Sequence, residues 1–450
     1  MPEPSVPAQS ADGQPRRAAR VSLALLIGIN LLNYIDRYVL SAIEPIVRDD
    51  LLSGDPNAKT KMGWLATAFL LTYMAASPIF GWLAEFMKRW AIIGVGVLLW
   101  SLATGACGLA QGFVMLLLCR VLVGVGEAAW GPVAPTVIAD MYPPGKRGSV
   151  MAWFYVALPV GSALGFIIGG QVAAVMSWHW AFFVVTPPGI ILGVWALLRP
   201  DPPRGGAVGG QEARPARRVR PADLRVLART PSYVLNTLGM TLSTFAIGGM
   251  SFWMPTYVHQ ARLGVEGLSP EAALDQLAMV NRWFGAITVL AGLGGTIAGG
   301  YLSDWLHARL RRGGGGAWRG GAYFLVPGVS MLVAFPIFLG VLAAPFPLAW
   351  WLMFAAIFCI FLGTGPTNTI IANVTHPSMR ATAFAVNIFL IHALGDAISP
   401  PLIGYIADTT GSMNRAFAVV GVTILLSGVV WIVAGPRLAR DMEAAPHRLD

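Results

Sequence analysis

Of the chain's 450 residues, 56% are hydrophobic and only 12% charged, and the mean hydropathy is +0.64, whereas a soluble domain carries roughly 25% charged residues. That balance excludes an ordinary globular enzyme and indicates a chain that crosses a membrane many times. The net charge of +9 does not signal nucleic-acid binding, because the basic residues fall in alternate loops and no aromatics interleave the central arginines as base stacking would favour.

At about 20 residues per span, apolar runs broken by Gly, Pro and charge predict twelve helices. They start near Val21, Lys61, Ala91, Phe113, Gly148, Trp178, Pro231, Leu274, Gly320, Phe346, Met379 and Met413. The chain divides into a tail at 1–20, a six-helix bundle at 21–198, a Pro-, Gly- and Arg-rich linker at 199–230, a second six-helix bundle at 231–436 and a tail at 437–450. The polar N-terminus and the long apolar run after Arg20 read as an anchoring first helix rather than a cleaved signal. Basic clusters at Arg16, Arg17 and Arg20, at Lys88 and Arg89, at Lys146 and Arg147, along the linker, at Arg309 to Arg319, at Arg380 and at Arg437 to Arg448 place both termini in the cytoplasm by the positive-inside rule. The excess of arginine over lysine, 27 to 4, points to a GC-rich bacterial genome and hence to the plasma (inner) membrane.

The first span carries Asp36 and Arg37 side by side in its middle, and intramembrane ionisable groups usually mark an ion or substrate path. Near its outer end stands Glu44, read either as an interfacial acid that reaches water or as part of an outer gate. In the fourth span Arg120 and Glu127 lie almost two turns apart on one face, about 10 Å along the axis. Asp36 would approach that wall if the first and fourth spans meet. A carboxylate there can bind a proton as its surroundings open to water; a permanent salt bridge of Asp36 or Glu127 with Arg37 or Arg120 is the competing reading. Gly161, Gly165 and Gly169 on the fifth span, and Gly295 and Gly299 on the eighth, permit close helix approach, expected where the halves meet or at an outer dimer face. On the eleventh span His392 and Asp396 are spaced to touch, which suits phosphate binding or proton sensing, or a plain satisfied histidine. Asn368 and Tyr155 could bond a head group, and Trp130, Trp153 and the Phe252–Trp253 pair could flank an acyl chain; helix packing accounts for each as well.

The halves repeat each other. Gly81-Trp82-Leu83-Ala84-Glu85 after span two matches Gly300-Tyr301-Leu302-Ser303-Asp304 after span eight, and Pro144 to Ser149 matches Pro377 to Thr382. Cys107, Cys119 and Cys359 sit in apolar runs without metal-ligand spacing and read as packing residues. There is no GxSxG, HExxH or P-loop signature, and Asn373-Val374-Thr375 falls at a cytoplasmic helix end where a glycosylation acceptor has no meaning.

GWLAEFMKR at 81–89 resembles the loop signature of the major facilitator superfamily, and Arg120 to Glu127 resembles its fourth-helix motif. NYIDRY, PIFGWLAE, RVLVGVGEA, APTVIADMY, WHW and LGDAISPPLIGYIAD together resemble the spinster family over nearly the whole chain. The resemblance implies an all-α fold of two pseudo-symmetric six-helix bundles that rock about a central cavity. It also implies a proton-linked, non-enzymatic carrier of lysophospholipid- or sphingolipid-like amphiphiles, needing no metal or organic cofactor and expected as a monomer. In that reading Asp36, Glu127, Arg37 and Arg120 couple the proton. Arg120, His392, Tyr155, Asn368, Trp130, Trp153 and Asp396 contact the lipid, and Glu85, Arg89, Arg147 and Asp304 form the cytoplasmic gate. Where many spinster-like proteins have Gly-Asp-Arg, this chain has Ala84-Glu85-Phe86, so the latch is expected to be either weaker or rebuilt around Lys88 and Arg89. An uncoupled downhill lipid flippase, or a carrier of another small organic anion or drug, is the alternative.

Overall fold

A computed structural model describes residues 13–204, 221–312 and 321–447. Residues 1–12 of the tail, 205–220 of the linker, 313–320 with Arg319 and Gly320, and 448–450 with Arg448 lie outside the described residues.

Among the described residues every regular element is helical. The first bundle contains α1 (Gly13–Leu51), α2 (Ala58–Leu83), α3 (Arg89–Cys107), α4 (Phe113–Ala128), α5 (Ala134–Met141), α6 (Pro144–Val175) and α7 (Trp178–Leu197). After α8 (Pro221–Ala228) the second contains α9 (Pro231–Thr256), which continues into a π-helical turn at Tyr257–Leu263, α10 (Pro270–Arg312), α11 (Ala322–Ala343), α12 (Leu348–Phe361) and α13 (Thr364–Val374). There follow α14 (Arg380–Ile391), a second π-helical turn at His392–Asp396, α15 (Ser399–Thr410), α16 (Met413–Ala434) and α17 (Leu438–Ala444).

Ten described segments are long and apolar enough to cross a membrane. The other two expected spans depart from that template for local reasons. The fourth is split into α4 and α5 at 129–133, where Gly131, Pro132 and then Pro135 interrupt the helix. The seventh, α9, carries Asn236, Thr237, Thr241, Ser243, Thr244 and Ser251, which lower its hydropathy. These side chains find partners inside the protein: Asn236 Nδ2 donates to Thr367 O at 3.0 Å, and Thr237 Oγ1 to Asn387 Oδ1 at 2.9 Å. The tenth and eleventh spans are also broken, between α12 and α13 and through the second π turn. Beyond the spans, α8 buries Leu227 within the stretch expected to be a linker. In the tail, the α17 carboxylate of Asp441 accepts the Ser232 N–H at 2.8 Å and so satisfies a free donor at the start of α9.

Gly161, Gly165 and Gly169 of the fifth span do not join the halves. A Cβ on Gly161 or Gly165 would lie 2.6 Å from the Leu31 or Ile35 carbonyl, and one on Gly169 would lie 2.9 Å from the Ala42 Cβ, so this stripe seats α6 on α1 within the first bundle. Gly295 and Gly299 likewise seat α10 against Phe358 and Leu362 in the second. Close approach depends on which residues the facing helix offers, and periodicity alone does not reveal that partner.

The bundles meet at the end of the molecule away from the termini, here called distal. Asn281 Nδ2 of α10 donates to Ala42 O at 2.9 Å beside Gly170, whose missing side chain leaves its room. Asp408 of α15 accepts from Thr60 N and Oγ1, each at 2.8 Å, and lies 3.5 Å from Lys59 Nζ. Glu44 does not reach water: it is fully buried, accepts from Thr256 Oγ1 of α9 at 2.6 Å and stands 3.6 Å from Arg48, which donates to Gln260 Oε1 at 3.0 Å. Toward the proximal end Trp82, Trp153, Tyr301 and Trp305 are exposed.

The closest distal contact sets α2 on α15. A Cβ on Gly63 would lie 2.5 Å from three main-chain atoms of Pro400 and Pro401. Gly63→Ala is therefore expected to cost the distal-closed arrangement about 1–3 kcal/mol, the usual range for overpacking. Spin labels on cysteines at the exposed positions Asn57 and Thr409 report it: a longer-distance population should grow at the expense of the parental one, and an unchanged distribution contradicts the packing account.

Candidate functional site

Asp36 and Arg37 are adjacent on α1, so they point about 100° apart around the helix and cannot both face α4. Arg37 takes that direction. Its Nε and Nη2 each lie 2.7 Å from Glu127 Oε2, and Glu127 is completely buried. The guanidinium also stacks 5.2 Å from the Tyr34 ring centre, 5.0 Å from Phe69 and 5.2 Å from Tyr73, an aromatic surround that favours a cation. Asp36 turns instead to α3 and accepts from Thr104 Oγ1 at 2.6 Å; its second oxygen has no hydrogen-bond partner. The expected approach of Asp36 to the Arg120–Glu127 wall is thus made by its neighbour.

Arg120 is buried beside the same ring, 4.9 Å from the Phe69 centre, and its Nε and Nη1 have no hydrogen-bond partner. The two charges of the fourth span therefore divide: Glu127 is committed to Arg37, while Arg120 keeps free donors. Such donors are costly to leave unpaired in a dry environment and make Arg120 ready for an anion.

Across the molecular midline, His392 Nδ1 lies 2.9 Å from Asp396 Oδ2 on the π-helical turn of the eleventh span. Ala397 N donates to His392 O at 3.0 Å, closing the widened turn. Gly248 of α9 makes room for Asp396, since a Cβ there would fall 2.4 Å from the Asp396 Cβ. Both partners line a cavity of about 440 Å³ between the bundles, with Tyr34, Arg37 and Tyr38 on its α1 wall. The second bundle supplies hydroxyls and amides, among them Ser243, Thr244, Asn368 and Asn387, alongside Met240, Ile247, Phe361 and Trp431. A smaller cavity of about 110 Å³ shares Arg37, Tyr38, Ser251 and Asp396 with the first and extends to Arg120. The site is one guanidinium and one carboxylate at a common boundary, polar groups on one wall and apolar groups around them.

The other expected contact residues fall in three places. Asn368 lines the larger cavity, with Nδ2 bonded to Thr364 O at 2.8 Å. Trp130 is buried outside both cavities and donates to Asn30 Oδ1 at 3.3 Å, so it packs α1 against the fourth span. Trp153 and Tyr155 lie exposed on α6, outside both linings. At the proximal end Glu85 is exposed, and Arg204 holds its carbonyl and, at 2.8 Å, that of Ala84. Arg89 bonds Asp140, while Asp201 accepts the Arg89 and Trp90 N–H groups at 2.7 and 2.9 Å. Arg147 Nε donates to Tyr142 O at 2.9 Å, and Asp304 accepts from Tyr323 Oη at 3.0 Å. The partners named for these four residues lie in their own bundle or, for Arg204 and Asp201, at the start of the linker.

Thr104, Phe69, Tyr73 and Asn387 were not singled out by sequence reasoning. A threonine or asparagine in an apolar helix carries no mark of its partner; the one available signal was the density of polar residues along α9, of which Ser243, Thr244 and Ser251 line this cavity.

Arg37→Met should leave the buried Glu127 charge unpaired and lower stability by about 3–5 kcal/mol. Adding Glu127→Gln should restore most of the loss, as read from thermal unfolding in detergent. Additive losses in the double variant contradict a direct pair.

The model of the Major Facilitator Superfamily matches residues 26–400. The chain is 33% identical to "Protein spinster homolog 3" of Danio rerio over 92% of its length and 81% of the relative's. It is 34% identical to "Sphingosine-1-phosphate transporter SPNS2" of Mus musculus over 90% and 74%. Among solved structures, a bacterial homolog of the human lysosomal transporter Spinster in an inward-facing, unoccupied conformation superposes with a TM-score of 0.74 at 22% identity, covering 96% of this chain and 98% of that one. The fold and these relatives identify a multi-pass membrane transporter, not an enzyme, and the chain belongs to the spinster family of the major facilitator superfamily.

Proposed function

We propose that the protein is a proton-coupled carrier of single-chain lipids with a phosphate-bearing head group, lysophospholipid- or sphingolipid-like, working by alternating access. The observation that carries the reading is the juxtaposition of the Arg37–Glu127 pair and the His392–Asp396 pair at one mixed polar and apolar cavity. The name of the mouse relative, a sphingosine-1-phosphate transporter, supports the cargo class. Both termini are taken as cytoplasmic, which makes the proximal end inward, and the distal contacts between the bundles support an inward-facing state, with no metal or organic cofactor required.

The chemistry follows from charge balance. While Glu127 is ionised it occupies Arg37; once Glu127 binds a proton, the guanidinium is free to turn its donors to an anionic head group. Arg120, with unpaired donors at the smaller cavity, offers a second phosphate partner, and His392 with Asp396 can meet the phosphate and amine of a zwitterion. Asn368 adds an amide, and the exposed Trp153 and Tyr155 would flank an acyl chain. Asp36, held by a single hydroxyl, is the other proton acceptor. In the opposite state the proximal end closes, and Glu85, Arg89, Arg147 and Asp304 then supply contacts between bundles.

Asp36→Asn keeps shape and hydrogen bonding but cannot change charge. In proteoliposomes it should abolish lysolipid accumulation driven by an imposed pH gradient while leaving ligand binding in detergent intact. Undiminished gradient-driven accumulation rejects Asp36 as a proton site, and parental flux indifferent to the gradient favours an uncoupled flippase.

A further inference from the structure

Thr67 lies midway along α2, buried where that helix meets the broken eleventh span. In an α-helix the carbonyl of residue i accepts the N–H of residue i+4. For Asp396 and Ala397 those donors belong to Pro400 and Pro401, and proline has none. Two main-chain carbonyls are therefore stripped of their helical partners deep inside the protein. Ser399 Oγ reaches the first only at 3.5 Å. The second is met from the other bundle, where Thr67 Oγ1 lies 2.5 Å from Ala397 O. The same hydroxyl is 3.3 Å from Gly63 O, one turn back on its own helix.

We propose that Thr67 is a positioning residue for transport: a hydroxyl latch that holds Ala397 O when the distal end is closed and returns to Gly63 O when it opens. A helical threonine always has its own i−4 carbonyl as a second acceptor, so the latch has two discrete settings. Opening leaves Thr67 satisfied and strips Ala397 O, which must then be hydrated. The device also touches the cargo site. Ala397 follows Asp396, which lines both cavities, and its N–H closes the π turn that presents His392 and Asp396. Thr67, on the opposite bundle, thereby fixes the exit of the turn that would hold the head group. Gly63 permits the approach by leaving no side chain between α2 and the Pro400–Pro401 main chain. The proposal rests on the alternating-access reading and is independent of which lipid is carried.

The test needs no cargo. Leu40→Cys places a thiol at a buried position lining the smaller cavity, and a membrane-impermeant maleimide added from the distal side reports distal opening, with the chain lacking this cysteine as blank. Thr67→Val keeps the shape and removes the donor; it should raise the labelling rate about fivefold, the effect of losing one hydrogen bond from the closed state. Thr67→Ser should label at the parental rate. Pro401→Ala returns an N–H to Ala397 O, so in that background Thr67→Val should add little. A parental rate for Thr67→Val, equal acceleration by valine and serine, or a valine effect undiminished by Pro401→Ala overturns the latch. Failure of lysolipid flux alone would instead strike the cargo assignment and leave these rates unchanged.

Discussion

A charge carried into the bilayer interior has to be matched within the protein, and the arrangement of this carrier follows from how few matches it makes. Arg37 neutralises Glu127 at 2.7 Å and is wrapped by three aromatic rings, whereas Arg120 and Asp36 retain polar atoms without partners. A fully compensated cluster would be a structural staple. An incompletely compensated one responds to a proton or an anion, because either species supplies the missing partner and redistributes the bonds already made.

The same economy governs the joint between the bundles. Inside each bundle the glycine stripes give continuous, close helix contact, which suits bodies that move as units. Between bundles, the distal contacts include a few discrete hydrogen bonds, among them Asn281 to Ala42, Thr60 to Asp408, Thr256 to Glu44 and Thr67 to Ala397. Each is modest in net strength, about 0.5–1.5 kcal/mol for neutral partners and more where a carboxylate accepts, so the closure is firm as a set and releasable in sequence.

The helical class, the two bundles and the charged positions were legible in the sequence because apolar length and intramembrane charge are local properties. Touching of His392 and Asp396 was also legible, since i and i+4 meet on any helical turn, although the turn here is widened. What escaped was partnership across helices. Nothing in the adjacency of Asp36 and Arg37 says which one faces α4, and nothing in Gly161, Gly165 and Gly169 says that α1, not the other bundle, fills the stripe. Glu44 showed the same limit: a carboxylate near a helix end normally reaches water, and only the packing of α9 over it seals it in. The Pro400–Pro401 pair was visible as residues, but its consequence, a carbonyl in need of a donor from another helix, required knowing that Thr67 lies opposite.

Whether the cargo cavity and the buried charge cluster form one coupled device is decided by watching protons while lipid moves. Proteoliposomes with a pH-sensitive dye trapped inside and no imposed gradient would receive a lysolipid on the outer face. Lumenal pH should change only when the protein is present, with a time course matching lipid entry. Lipid entry with no proton movement would contradict the coupling.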